Sequence, residues 1–301
     1  MKDYSPHFTG FFLAIIGTLL FSLKSIFIKY LYQLGLNADE VLALRMLLAL
    51  PFYLFILAWL FYKKDRIEQL NKKLLVKIFL LGFLGYYLAS LLDLISLTYI
   101  SAQLERLGLF TYPFMVALLG YLFFKQKLTA SLIVALIMSY LGLWLVVSQE
   151  RMFSGDQVIL GTLFVLGSAL SYSIYVLFAQ NYIKQIGSSL FTTLAMISSS
   201  VYVFIHAYFF LDFSALMISK EIFFWLLVLA LFSTVIPSYM LTSAIHHIGP
   251  SQTGLVGIMG PVFTIILAIF LLDEQFTLIM AIGVMMVISG VLLKMKIKDE
   301  K

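Results

Sequence analysis

Ten apolar runs in series, each long enough to cross a bilayer as a helix and joined by short polar links, constrain this chain more than any other feature. A helix rises about 1.5 Å per residue, so about 20 apolar residues span about 30 Å of hydrocarbon. With no water to bond the backbone, each such run is expected to be helical. The runs fall at 8–32, 38–62, 75–99, 101–124, 128–149, 158–184, 189–211, 222–246, 250–272 and 277–294. They leave no room for a soluble domain. Of the 301 residues, 62% are hydrophobic and 12% charged, where a soluble domain carries about 25% charged residues. The first run exceeds a signal-peptide core and lacks a small-residue cleavage site after it, so it reads as a retained span.

The chain has no cysteine, which removes disulfides, thiolate metal sites and thiol nucleophiles. Its net charge of +5 does not indicate nucleic acid, because the basic residues sit at the edges of apolar runs. Loop charge of this kind orients a membrane protein. One face holds Lys2, Lys63, Lys64, Arg66, Lys72, Lys73, Lys77, Lys125, Lys127, Lys184, Lys294, Lys296, Lys298 and Lys301, fourteen in all, and the other holds Arg151 and Lys220. This bias alternates through ten spans and predicts both termini in the cytoplasm of a bacterial-type inner (plasma) membrane.

Sliding the chain by 148 residues aligns Ile100–Leu145 with Ile248–Leu293 without a gap. Pro113 then meets Pro261, Thr129 meets Thr277 and Gly142 meets Gly290. Two repeats follow, 1–149 and 150–301, with five helices each. An odd number of spans sends the second repeat into the membrane from the opposite face, so the expected fold is all-α with ten transmembrane helices in two inverted halves, the architecture on which alternating access is built.

Buried charge in a span costs at least about 2.5–3.5 kcal/mol and calls for a partner or a wet cavity. Lys24, Arg45, Asp93, Glu105 and Arg106 all fall inside spans, roughly 6–12 Å below the outer boundary. Two readings stay open. Lys24 and Arg106 can hold a substrate carboxylate or phosphate while Asp93 or Glu105 exchanges protons, or the five can form ion pairs that clamp helices. The second repeat places Leu241, Thr253 and Gly254 where the first has Asp93, Glu105 and Arg106, so only the first half carries charge. Lys29, nearer the helix end, is expected to snorkel to the interface.

Gly254, Gly257 and Gly260 repeat every third residue and read as a packing face, with Pro261 and Pro113 as kinks that can serve as hinges; Pro51 and Pro237 also read as kinks. Tyr86, Tyr87, Tyr112, Tyr172, Trp225 and Tyr239 are aromatic candidates for a substrate ring, with Tyr86 and Tyr112 preferred and Trp225 better read as interfacial. Ser171, Asn181 and Gln252 are expected to bond between helices, and His206 to pack as a hydrogen-bonding group. His246-His247 lacks a third ligand, so no metal is expected. No Gly-x-Ser-x-Gly, Walker or His-Glu-x-x-His sequence occurs, which disfavours an intramembrane hydrolase, an ATP-driven pump and any cofactor.

The five-plus-five layout and the proline helices ending in polar links, Lys125-Gln126-Lys127-Leu128-Thr129 and Asp273-Glu274-Gln275-Phe276-Thr277, resemble the EamA family of the drug/metabolite transporter superfamily. Asp273-Glu274 is similar to that family's acidic pair, while Lys125-Gln126 departs from it. The resemblance implies a central cavity lined by both halves, peripheral fifth and tenth helices, and export or uptake of a small metabolite by secondary transport, without naming the substrate; the charged layer, which sums to +1 with all five groups ionised, points to a zwitterionic or anionic compound such as an amino acid. The partners so implied are a small-molecule substrate and the lipid bilayer. A non-transporting scaffold or lipid-flipping subunit would share the hydropathy, and no sequence signal fixes an oligomeric state.

Overall fold

The computed structural model describes residues 6–63, 67–125, 129–211 and 218–299, and among these the regular structure is all helical. Lys2, Lys64, Arg66, Lys127 and Lys301 of the orientation count lie outside the described residues, as do Gln126 and Leu128 of the first polar link.

Polar residues in the links start the helices by accepting backbone N–H groups that the first turn leaves unbonded. The helices are α1 (Pro6–Gln33), α2 (Ala38–Tyr62), α3 (Lys72–Ser96), α4 (Ala102–Phe124), α5 (Ala130–Ser154), α6 (Gln157–Ile186), α7 (Ser188–Phe210), α8 (Lys220–Leu241), α9 (Met259–Leu272) and α10 (Leu278–Asp299). Asn37 and Glu40 form a capping box at the start of α2. Asn71, Ser101, Thr129 and Ser219 cap α3, α4, α5 and α8 through their side chains. The first eight helices are long and apolar enough to span a membrane, and Met259–Leu272 and Leu278–Leu293 add two shorter apolar segments.

The repeat is visible in the backbone. The π turn Phe83–Leu88 interrupts α3, and the π turn Leu231–Val235 interrupts α8, 148 residues later. Lys125 and Asp273, again 148 apart, both adopt φ of 53°, the left-handed conformation that ends α4 and α9. Thr129 and Thr277 each accept the N–H three residues on.

The halves meet across α5 and α10. Ser139 donates to the Val287 carbonyl, its own repeat partner, at 3.3 Å. A methyl at Gly142 would lie 2.5 Å from the Gly283 carbonyl oxygen, and one at Gly290 would lie 2.6 Å from the Ala135 oxygen. Since 135 and 283 are repeat partners, as are 142 and 290, these are one contact made twice about a pseudo-two-fold axis. Only glycine allows so close a crossing.

One boundary differs from expectation. The link at Gly249 was expected to separate helices, yet helical backbone runs without a break over Ile236–Gly257 and is interrupted at Ile258. The chain nevertheless reverses there. Along α1, Gly17 lies against Met240 and Leu241, and Gly10 against His247 and Ile248, an antiparallel course. Thr18 then faces Gly260, and Thr264 donates to the Ser22 carbonyl at 3.2 Å, a parallel course. The aligned link in the first half is opened by Ser101, whose hydroxyl caps α4; Gly249 offers no such group.

The outward faces carry Phe55, Trp144, Tyr208, Phe209, Phe210 and Phe270, all well exposed. Such a belt suits lipid and would be an aggregation patch in water.

Candidate functional site

A polar stripe on α1 organises the centre. Thr18, Ser22, Ser25 and Lys29 recur at spacings of four, three and four, which places them on one helical face. This face meets α4 and α9. Ser22 donates to the Gly260 carbonyl at 3.1 Å, and Ser25 donates to Glu105 Oε2 at 2.5 Å. Arg106 Nη2 donates to Ser22 Oγ at 3.3 Å, and its guanidinium lies 5.1 Å from the Phe21 ring centroid.

The five predicted charges converge into one closed layer, with exposures of 8% for Lys24, 3% for Arg45, 1% for Asp93, 0% for Glu105 and 7% for Arg106. At such burial each charge needs compensation, and the layer compensates only part of it. Lys24 Nζ binds Asp93 Oδ2 at 2.5 Å. The ion pairs formed among the described residues are this one, Arg151–Asp156 at 2.6 Å and His206–Asp39 at 3.1 Å. The expected clamp between Arg106 and a carboxylate is therefore not made there; Glu105 takes the Ser25 hydroxyl instead. Arg45 lies near Asp93, Tyr32 and Tyr53, and its Nε has no hydrogen-bond partner among the described residues. The Asp93 and Glu105 carboxyls face one another. With both ionised, Asp93 Oδ1 and Glu105 Oε1 also have no donor. One shared proton would supply it.

Tyrosines from both halves form a second group, of which Tyr53 lies near Arg45 of this layer. Tyr86 packs edge-on to Tyr175 at 5.0 Å, with 3.1 Å between the hydroxyl oxygens. Tyr112 meets Tyr172 at 5.3 Å, Tyr172 meets Tyr175 at 5.6 Å, and Tyr53 lies 6.3 Å from Tyr239. The structure thus groups Tyr86, Tyr112, Tyr172 and Tyr239. Tyr87 is committed elsewhere: its hydroxyl and His206 Nδ1 are 2.9 Å apart, and His206 also stacks on Phe210. Trp225 packs on Phe27 and Tyr30 towards the outer end.

Several expectations need correction. A methyl at Gly257 would meet nothing within 4 Å, so close packing does not explain that glycine. Gly260 does face α1, with Thr18, Ser22 and Arg106 at 3.5–3.8 Å from a built methyl. The surroundings of Gly254 lie outside the described residues. Pro113 opens the second segment of α4 after the break at Phe110-Thr111, and Pro261 lies just beyond the break at Ile258. Pro51 sits within unbroken helix, and Pro237 lies two residues beyond the end of a π turn. Ser171 donates to the Leu84 carbonyl across helices at 2.7 Å, whereas Asn181 is exposed and Gln252 Oε1 has no partner.

Sequence reading missed a group at the outer end of α4. Glu150 accepts the Ser101 N–H at 2.6 Å and its hydroxyl at 2.5 Å. Glu274 accepts the Ala102 and Gln103 N–H groups at 2.7 and 3.3 Å, and Gln103 Nε2 donates to the Gln275 carbonyl. Lys29 does not snorkel free; it lies in the field of Glu274, Glu150 and Glu105. The α1 stripe was the available signal, since it puts Lys29 one turn beyond Ser25.

Comparison with known proteins gives a consistent picture. The EamA-like transporter family matches residues 8–148 and 159–295. An uncharacterized transporter of Bacillus subtilis (strain 168), YcbK, is 30% identical over 292 residues, covering 93% of this chain and 92% of its own length. A second from the same organism, YdfC, is 29% identical over 216 residues, covering 71% and 69%. A solved structure described only as a crystal structure of a protein superposes with a TM-score of 0.64 at 13% identity, covering 94% of this chain and 96% of that one. It bears on the fold alone.

Proposed function

The chain belongs to the EamA-like transporter family and is a multi-pass membrane transporter, and from that premise we propose that it is a secondary transporter that exports or exchanges a small zwitterionic or anionic metabolite, with amino acids the leading class. The observation that carries this reading is the incompletely paired charged layer. Among the described residues it holds one unpartnered donor, Arg45 Nε, and two facing carboxyl oxygens, Asp93 Oδ1 and Glu105 Oε1, that lack a donor unless the pair shares a proton. Arg106 lies beside them with hydroxyl and ring contacts rather than a carboxylate. An α-amino acid offers the complementary set: a carboxylate for Arg106 and Arg45, and an ammonium for the Asp93–Glu105 pair. Its side chain would lie against Tyr86, Tyr112 and their neighbours.

Substrate and proton would compete for the same carboxyls, which couples them. Lys24 would leave Asp93 for the substrate carboxylate as the site loads. The repeats 1–149 and 150–301 would rock about the α5–α10 crossing, with Pro113, Pro261 and the open Gly257 as hinges, so that the layer meets each side in turn. The lysine bias supports a plasma-type membrane with both termini in the cytoplasm.

Purified protein in proteoliposomes, given a panel of radiolabelled L-amino acids with and without a pH gradient, tests this. Saturable uptake of at least one amino acid, enhanced by the gradient, is expected. Absence of flux across the panel under both conditions would count against the reading.

A further inference from the structure

The outer end of α4 is held by both repeats, through different carboxylates. Glu150 of α5, in the same repeat, accepts the Ser101 N–H at 2.6 Å and its hydroxyl at 2.5 Å. Glu274, in the link between α9 and α10 of the other repeat, accepts the Ala102 N–H at 2.7 Å and the Gln103 N–H at 3.3 Å. Gln103 Nε2 adds a bond to the Gln275 carbonyl at 3.3 Å. A carboxylate on the first N–H groups of a helix makes charge-assisted bonds at the positive end of its dipole. Glu105 and Arg106 lie in the next turn of the same segment, Ala102–Leu109, with Ser25 of α1 on Glu105. Glu274 therefore ties the second repeat to the helix that carries part of the charged layer. Sequence and backbone deny the other face a counterpart. At the repeat offset, Gly249, Pro250, Lys298 and Gln126 stand where Ser101, Ala102, Glu150 and Glu274 do. Proline has no N–H to give, and a lysine cannot accept one. Helical backbone also runs unbroken through this place, over Ile236–Gly257, so no helix start is offered there. Nothing there calls for an acid at position 126, where the first link departs from the Asp273-Glu274 pair.

We propose that Glu274 is a latch that holds the two halves shut on the face opposite the termini, and that the resting protein therefore opens to the terminal face, where no such latch can form. The inference rests on the two-sided site of the transport reading above; it adds which face is open at rest and which bonds break for the other to open. Glu150 and Ser101 belong to one repeat, so their bonds survive rocking of the halves. The bonds of Glu274 and Gln275 cross between repeats, so outward opening exchanges them for water. Because Glu105 and Arg106 share a rigid segment with Ala102, loading of the charged layer and release of the latch act on the same piece of helix.

Sided labelling tests this without a known substrate. Ser25→Cys, on the α1 stripe below the latch, places one thiol in a chain that otherwise has none, and the latch variants are made in this background. A membrane-impermeant maleimide is applied from each side of proteoliposomes of one orientation, selected through a tag on the N-terminus. With the latch intact, labelling is expected to be faster from the terminal side. The latch is then removed from either end of one bond. Glu274→Ala deletes the acceptor. Ala102→Pro deletes the donor at the first helical position, where proline suits a helix start; Ser101 before it already has the extended backbone, φ −66° and ψ 160°, that a following proline requires. Each variant should raise the rate from the opposite side about 10-fold and lower the rate from the terminal side, because one face closes as the other opens. A merely loosened fold would raise both rates together and lower the melting temperature. Faster labelling of the latched protein from the opposite side, a native ratio in either variant, or a rise from both sides overturns the latch. Amino-acid flux is measured on the same vesicles: a sided shift without flux removes the amino-acid reading and leaves the latch standing, whereas flux with unchanged sidedness does the reverse.

Discussion

Lys24 of α1 and Arg106 of α4 are both buried cations, but only Lys24 holds a carboxylate, so their removal should differ in kind. Lys24→Ala leaves Asp93 buried without its ion-pair partner, a loss of about 3–5 kcal/mol. We expect its folded yield in detergent, read by size-exclusion chromatography, to collapse. Replacing both partners, Lys24→Met with Asp93→Leu, should restore folded protein without restoring amino-acid flux. Arg106→Ala gives up a long hydrogen bond to Ser22 and a ring contact, so it should fold near native levels and lose flux; equal loss of folded protein in the two single variants would return the layer to a purely clamping role. The five charges were legible in the sequence because charge inside an apolar run is conspicuous. Their pairing was not, because Arg106 and Glu105 are sequence neighbours whose side chains take different partners. Glu150, and the contact of Glu274 from the acidic pair with α4, were not legible, because carboxylates at helix ends are unremarkable until the fold brings α4 against them.

Among the elements, the α5–α10 crossing gives the sharpest stability test. Gly142→Leu or Gly283→Leu must push the two helices apart at a contact made through carbonyl oxygens, at a cost of about 1–3 kcal/mol. Gly257→Ala meets open space and removes a flexible residue from a helix, so it should leave thermal stability unchanged or raise it by up to about 1 kcal/mol. A thermal-shift ranking with Gly257→Ala below Gly142→Leu would contradict the packing described. The pairing of Gly142 with Gly290 could be seen in sequence at the repeat offset, as could Thr129 with Thr277. The π turns could not: Pro237 follows the second, but Ala89 stands at the matching place after the first, so no residue type marks both. Continuous helix through Gly249 was likewise hidden, since Gly-Pro ordinarily signals a break.

At the scale of the molecule, two five-helix halves related by a pseudo-two-fold axis enclose a layer whose charge comes entirely from the first half. The inverted repeat was readable from helix parity and a single offset, because a span of fixed length leaves few ways to fold an odd repeat. The asymmetry matters for the proposed mechanism: rocking of the halves would move charged α1, α3 and α4 against the uncharged face of α9, so that one side would supply the site and the other uncover it. The chain's lack of cysteine makes this directly testable. Thr18, on the α1 stripe and against Gly260, is changed to cysteine, and a membrane-impermeant maleimide is applied from each side of oriented proteoliposomes in turn. Alternating access predicts modification from either side, with each rate changed by a transported amino acid; modification from one side only, whatever amino acid is present, would contradict it.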